Sequence, residues 1–144
     1  MRHITEDGLR LIRRFEGFAA SPYICPGGYL TIGYGHVVKN PQAFRQPITE
    51  DEATQILAID IQAAERAVLR LITVPLRDGQ FDALVSFAFN LGAGALQRST
   101  LRRKVNAEDH DDVPSEFAKW VWAGGKKQKG LIRRREAEAA LYQS

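Results

Sequence analysis

The strongest constraint in this chain is a helical spacing of apolar residues near its middle. Leu57, Ile61, Ala64, Val68 and Leu71 recur at alternating intervals of four and three, which aligns them on one face of a helix ending before Pro75. Thr49 and Glu52, just after Pro47, have the spacing of a capping box at its start. A helix over 49–74 is expected to act as a spine with structure on either side. Phe81, Leu84, Val85 and Ala88 form a second apolar stripe over 79–89, which Leu91-Gly92-Ala93-Gly94 ends. Further helices are predicted over 100–105, 114–122 and 131–142. The first segment is helical too. Thr5 is a candidate N-cap, Glu6 and Asp7 occupy the first turn, Leu9, Ile12 and Glu16 share one face, and Gly17 suits the C-terminal cap.

One stretch departs from this pattern. Tyr23-Ile24-Cys25 and Tyr29-Leu30-Thr31-Ile32 flank Pro26-Gly27-Gly28, which predicts a β-hairpin. With a loop of 26–28, Cys25 lies opposite Tyr29, and Thr31 falls on the Cys25 face, diagonally displaced. Gly33 and Gly35 around Tyr34 imply a further bend or a close backbone approach. The expected fold class is α+β, mainly α, in a single domain. A small lobe of N-terminal helix and hairpin (1–48) precedes the connecting helix (49–74) and a larger helical lobe (75–144). Ligand clefts often lie between such lobes.

Composition removes several functions. A single cysteine, Cys25, excludes an intrachain disulfide and a cysteine-only zinc site. His3, His36 and His110 show no paired-ligand spacing, and there is no phosphate-binding loop or dinucleotide fingerprint, so neither metal nor cofactor is expected. Charged residues from Arg2 to Arg14 interrupt any early apolar run, so no signal peptide is visible and synthesis in the host cytoplasm is expected. Asp82, Asn90, Gly92 and Gly94 break the most apolar stretch, which reads as a core helix rather than a membrane span. A monomer without membrane insertion is expected.

The net charge is +3. The first 72 residues carry eight basic and eight acidic groups, and the remainder carry twelve and nine, so the excess lies in the second half, where Lys126, Lys127, Lys129 and Arg133 to Arg135 cluster. Such a cluster either attracts an anionic partner or is an ordinary solvated surface. It lacks aromatic interleaving and any readout motif, so no nucleic-acid partner is expected.

Glu16 is the most informative titratable residue. A carboxylate on an apolar face, at the carbonyl end of a helix, is favoured in its protonated form, as a general acid requires. A surface carboxylate or one paired to arginine is the plainer reading. Thr31 offers a hydroxyl that could hold a water, or is simply a strand threonine. Cys25 is a candidate nucleophile, a base, or an inert small side chain.

Together, Glu16, Cys25 and Thr31 have the order and spacing of the site of phage-type lysozymes, glycoside hydrolase family 24, in which Glu is followed by Asp or Cys and then Thr. The chain resembles that family along nearly its whole length. The likeness includes Phe15-Glu16-Gly17, the run Gly27 to His36, Ile48-Thr49 with Glu52-Ala53, the run Gln80 to Gly92, Ser99-Thr100-Leu101 and Trp122 to Gly125. It ends with Gly130-Leu131 followed by Arg134-Arg135, Glu138 and Leu141. The resemblance implies a lysozyme-like two-lobe fold and a muramidase that lyses bacteria from a phage or prophage. Its substrate would be cell-wall peptidoglycan, reached from the cytoplasm by another route. It further implies cleavage of the β-1,4 bond between N-acetylmuramic acid and N-acetylglucosamine. Glu16 would be the acid, with Cys25 and Thr31 positioning or activating water on the opposite face. Tyr34, His36, Asn90 and Arg134 are weaker substrate-binding candidates, and Arg134 is a possible partner for Glu16. A lytic transglycosylase, a non-catalytic peptidoglycan-binding module and a Cys25–His36 peptidase are the competing readings.

Overall fold

A computed structural model describes all residues, 1–144. The chain is mostly helical with two small antiparallel sheets, the α+β, mainly α composition expected from its patterning. It divides into two compact units. One is Ile12–Gln62, and the other joins Met1–Leu11 to Ala63–Ser144.

The smaller unit begins within helix α1 (Glu6–Glu16). Gly17 ends α1 with φ of +74° while its N–H bonds the Arg13 carbonyl at 3.0 Å, as a helix-ending glycine does. Strands β1 (Ala19–Ile24), β2 (Leu30–Gly33) and β3 (His36–Val37) form one sheet in sequential order. Tyr23 pairs with Thr31 and Ile24 with Leu30, and Cys25 N–H donates to the Tyr29 carbonyl at 2.9 Å. The turn therefore occupies 26–28, as its Pro-Gly-Gly content predicts. The register shifts between Ala19 and Tyr23, where Pro22 has no N–H to give to the ladder.

Helix α2 (Glu50–Asp60) opens on the predicted capping box. Thr49 Oγ1 accepts from Glu52 N–H at 3.1 Å, and Glu52 Oε1 accepts from Thr49 N–H at 3.0 Å. The helix expected over 49–74 is in fact two, α2 and α3 (Gln62–Leu71). Ile61 between them keeps helical dihedrals and still bonds the Leu57 carbonyl at 2.9 Å, so the break is a one-residue fault in the ladder. No proline or glycine marks it. Each half buries its own stripe: Ala53 and Leu57 in α2, and Ala64, Ala67, Val68 and Leu71 in α3.

The larger unit is built on α4 (Asp78–Leu91), buried without interruption from Gln80 to Ala88. The predicted one-sided stripe is therefore too narrow. Phe87 meets Phe117 of α7 (Val113–Phe117) edge-on at 5.8 Å, and Ser86 meets α8 (Lys129–Gln143). Asp82 takes the N-terminal segment, accepting from Thr5 N–H at 3.0 Å and from the Thr5 hydroxyl. Thr5 thus holds the N-cap position of α1, its carbonyl accepting from Leu9 N–H at 3.0 Å, while its hydroxyl donates to α4. Desolvation pushes the Asp82 carboxyl up despite these bonds. Ile4 N–H adds a bond to buried Glu65 at 2.7 Å. Gly8 is required beside them, because an added Cβ would lie 2.8 Å from that of Asp82 and 2.4 Å from Ile4.

Helices α5 (Ala93–Arg98) and α6 (Thr100–Asn106) follow α4. The helix predicted over 114–122 stops at Phe117, and Trp122–Ala123 (β4) pairs with Lys126–Lys127 (β5). Gly124 and Gly125 both have positive φ, the two-residue hairpin turn that a Gly-Gly pair permits. No helix is long and apolar enough to cross a membrane.

Candidate active site

Three of the predicted residues lie within the smaller unit with a common architecture around them. Glu16 is the last residue of α1 and is half-buried. Its carboxylate lies against the turn joining β2 to β3. A Cβ built on Gly35 would sit 2.9 Å from Glu16 Oε1. Gly35 also has φ of +81°, so two independent constraints require glycine there. Gly33, with φ of +64°, lets the same turn approach Ala53, whose Cβ is 3.2 Å from where a side chain would begin. The paired glycines around Tyr34 are thus close-approach positions, one facing Glu16 and the other facing α2.

Thr31 is buried in β2, its hydroxyl donating to the Tyr29 carbonyl at 3.0 Å. Cys25 stands at the end of the hairpin, in the predicted diagonal relation to Thr31. The Tyr29 backbone and then the Thr31 side chain hold the Cys25 thiol below the ordinary thiol range, against a smaller opposing effect of desolvation. Alkylation of Cys25 by iodoacetamide is therefore expected to reach half its maximal rate below the unperturbed thiol pKa of about 8.5. A rate profile by mass spectrometry that titrates at or above that value would contradict a lowered Cys25 thiol.

Two weaker candidates in this unit have structural partners. Tyr34 is buried and packs on Phe18 with ring centroids 5.6 Å apart. His36 Nδ1 lies 2.8 Å from Asp60 Oδ2 of α2, and its ring edge meets Phe44. Nothing local in the sequence links Asp60 to a histidine 24 positions away, so no spacing pattern signals this pair.

Asn90 and Arg134 belong to the larger unit. There Glu138 of α8, fully buried, collects several donors. Its Oε2 accepts from Ser86 Oγ at 2.5 Å, Arg135 Nη2 at 3.2 Å and Arg134 Nε at 3.4 Å. Its Oε1 is 2.8 Å from Arg135 Nε, an ion-pair contact without hydrogen-bond alignment. Burial pushes the Glu138 carboxyl up and the Arg135 guanidinium down, and their mutual attraction opposes both shifts. Arg134 also reaches the Ser86 carbonyl at 3.4 Å, and Arg135 Nη2 donates to Asn90 Oδ1 at 2.7 Å. The run Arg133 to Arg135 is therefore not the uniform solvated patch its charge suggested. Arg133 is exposed, whereas Arg134 and Arg135 are buried around a carboxylate. A glutamate three and four positions after them was the available signal.

Comparison with known proteins bears on this arrangement. A family model described as phage lysozyme matches residues 13–138. An endolysin of Bacillus phage B103 is 41% identical over 142 residues, covering 97% of this chain and 54% of its own length. The chain thus spans about half of that relative. An endolysin of Acyrthosiphon pisum secondary endosymbiont phage 1 is 40% identical, covering 99% of each chain. Among solved structures, a mutant of P22 lysozyme superposes with a TM-score of 0.90 at 35% identity, covering all of both chains.

Proposed function

This chain belongs to the phage lysozyme family, a family of peptidoglycan-cleaving glycoside hydrolases, and from that premise we propose that it is a muramidase. It hydrolyses the β-1,4 bond between N-acetylmuramic acid and N-acetylglucosamine in the bacterial wall. Glu16 is the general acid that protonates the leaving glycosidic oxygen. Cys25 and Thr31 hold and activate the water that attacks the opposite face of the sugar. The observation that carries this reading is the lodging of the Glu16 carboxylate against the Gly35 turn of the hairpin that bears Thr31. A side chain held by backbone is pre-organised, and a general acid needs a fixed position relative to the oxygen it protonates.

Cys25 contributes charge only as a thiolate, and its depressed pKa favours that form. Full alkylation of Cys25 should therefore abolish turnover. In this reading Asn90 contacts the glycan, Tyr34 and His36 brace the hairpin through Phe18 and Asp60, and Arg134, buried beside Glu138, supports α8 rather than touching substrate. The enzyme acts as a monomer and reaches the wall after release from the host cytoplasm by another route.

Product chemistry separates hydrolysis from its nearest rival. Mass spectrometry of digested sacculi should find reducing muramic ends. Anhydromuramic ends would identify a lytic transglycosylase, and intact strands bound to protein would identify a non-catalytic binding module.

A further inference from the structure

The bond between Arg135 and Asn90 determines which end of the Asn90 amide faces outward. Arg135 is 1% exposed, its guanidinium carbon lies 5.3 Å over the Phe87 ring, and Glu138 holds it by charge. Its Nη2 is 2.7 Å from the Asn90 side chain. A guanidinium has donors only, so the atom it meets must be the carbonyl oxygen of the amide. The Asn90 NH2 then occupies the other limb, away from Arg135. Asn90 is half-buried and its one side-chain hydrogen bond is made by the oxygen to Arg135, so the unbonded NH2 group keeps its donors for an incoming molecule. Asn90 stands at the end of α4, one residue before Leu91 and then Gly92, where φ of +94° turns the chain out of the helix.

We propose that Arg135 is a positioning residue that locks Asn90 to present an NH2 donor, never its carbonyl, to an acceptor oxygen of the glycan. This rests on the muramidase reading above, in which the glycan passes Asn90. The acceptor chemistry is an amide carbonyl of an N-acetyl group or a carboxylate of a stem peptide. A freely turning amide would offer either polarity. A locked one discriminates for acceptors and places its donor before the glycan arrives.

Asn90→Asp tests this without disturbing the buried side. Aspartate accepts from Arg135 at least as well, through a charge-assisted bond, while the outward group changes from donor to acceptor. The melting temperature should hold or rise, and KM for purified sacculi should increase about 10-fold or more with little change in kcat. Arg135→Lys removes the fixed fork, so Asn90→Asp added to that background should cost less than it does alone. If Arg135→Lys fails to fold, Asn90→Asp still decides the matter. An effect that persists on amidase-stripped glycan strands assigns the acceptor to N-acetyl groups. One seen only on intact sacculi assigns it to stem carboxylates, and both support the donor. An unchanged KM, or a melting temperature lowered by more than a few degrees, overturns the proposal. Glu16→Gln run in parallel separates the two failures. If Glu16→Gln is inactive and Asn90→Asp silent, only the positioning role falls, whereas a fully active Glu16→Gln removes the reading beneath it.

Discussion

Glu16→Gln is expected to lower kcat on peptidoglycan by about 10²–10⁴-fold while leaving the fold intact. The amide matches the carboxylate in size, so it can occupy the same place against Gly35. What it lacks is a proton to transfer to the leaving oxygen. Glycosidic cleavage without that transfer expels an alkoxide, and the barrier rises accordingly. Because Glu16 is half-buried at the end of α1 rather than in a packed core, the exchange should move the melting temperature by no more than a few degrees. The measurement is release of reducing ends from sacculi beside a thermal melt. A variant retaining more than half of wild-type turnover would remove Glu16 from the acid role.

The largest stability effect is expected at Glu138. Glu138→Ala should cost about 3–5 kcal/mol, because removing one partner leaves buried charge uncompensated. Arg134 and Arg135 are 3% and 1% exposed, and neither side chain can swing to water without disrupting α8. Ser86 Oγ would lose its acceptor at the same time. Glu138→Gln should fall between, since it keeps one acceptor oxygen but turns an NH2 toward donors. Urea unfolding measures both. A cost below about 1 kcal/mol for the alanine variant would mean that water reaches the arginines and that the network is not sealed.

These residues also divide what was legible from what was not. Glu138 lies in the register expected for a helix pair with Arg134 and Arg135, yet the charge count alone read those arginines as surface. Burial reverses their meaning, and burial is a property of neighbours distant in sequence. The hairpin was the opposite case. Pro26-Gly27-Gly28 and the flanking β-formers specify the turn, and the two-residue period of a strand then puts Thr31 on the Cys25 face. The hairpin of the candidate site was legible to that extent, because turn chemistry and strand alternation act between near neighbours. Gly35 carried only half a message, since the sequence suggested a close approach without naming Glu16 as what approaches.

Local interactions within a few residues determined the end of α1 at Gly17, the start of α2 at Thr49 and the hairpin register. Those features follow from dihedral preferences and capping, which the chain carries wherever it goes. The assignment of Met1–Leu11 to the larger unit, the partnership of His36 with Asp60 and the orientation of Asn90 were decided by tertiary structure alone. Thr5 meets Asp82 across 77 positions, and no pattern of spacing or composition encodes such a meeting. It exists because packing α4 on all sides desolvates its polar groups, and each must then find a partner from whichever segment folding brings alongside.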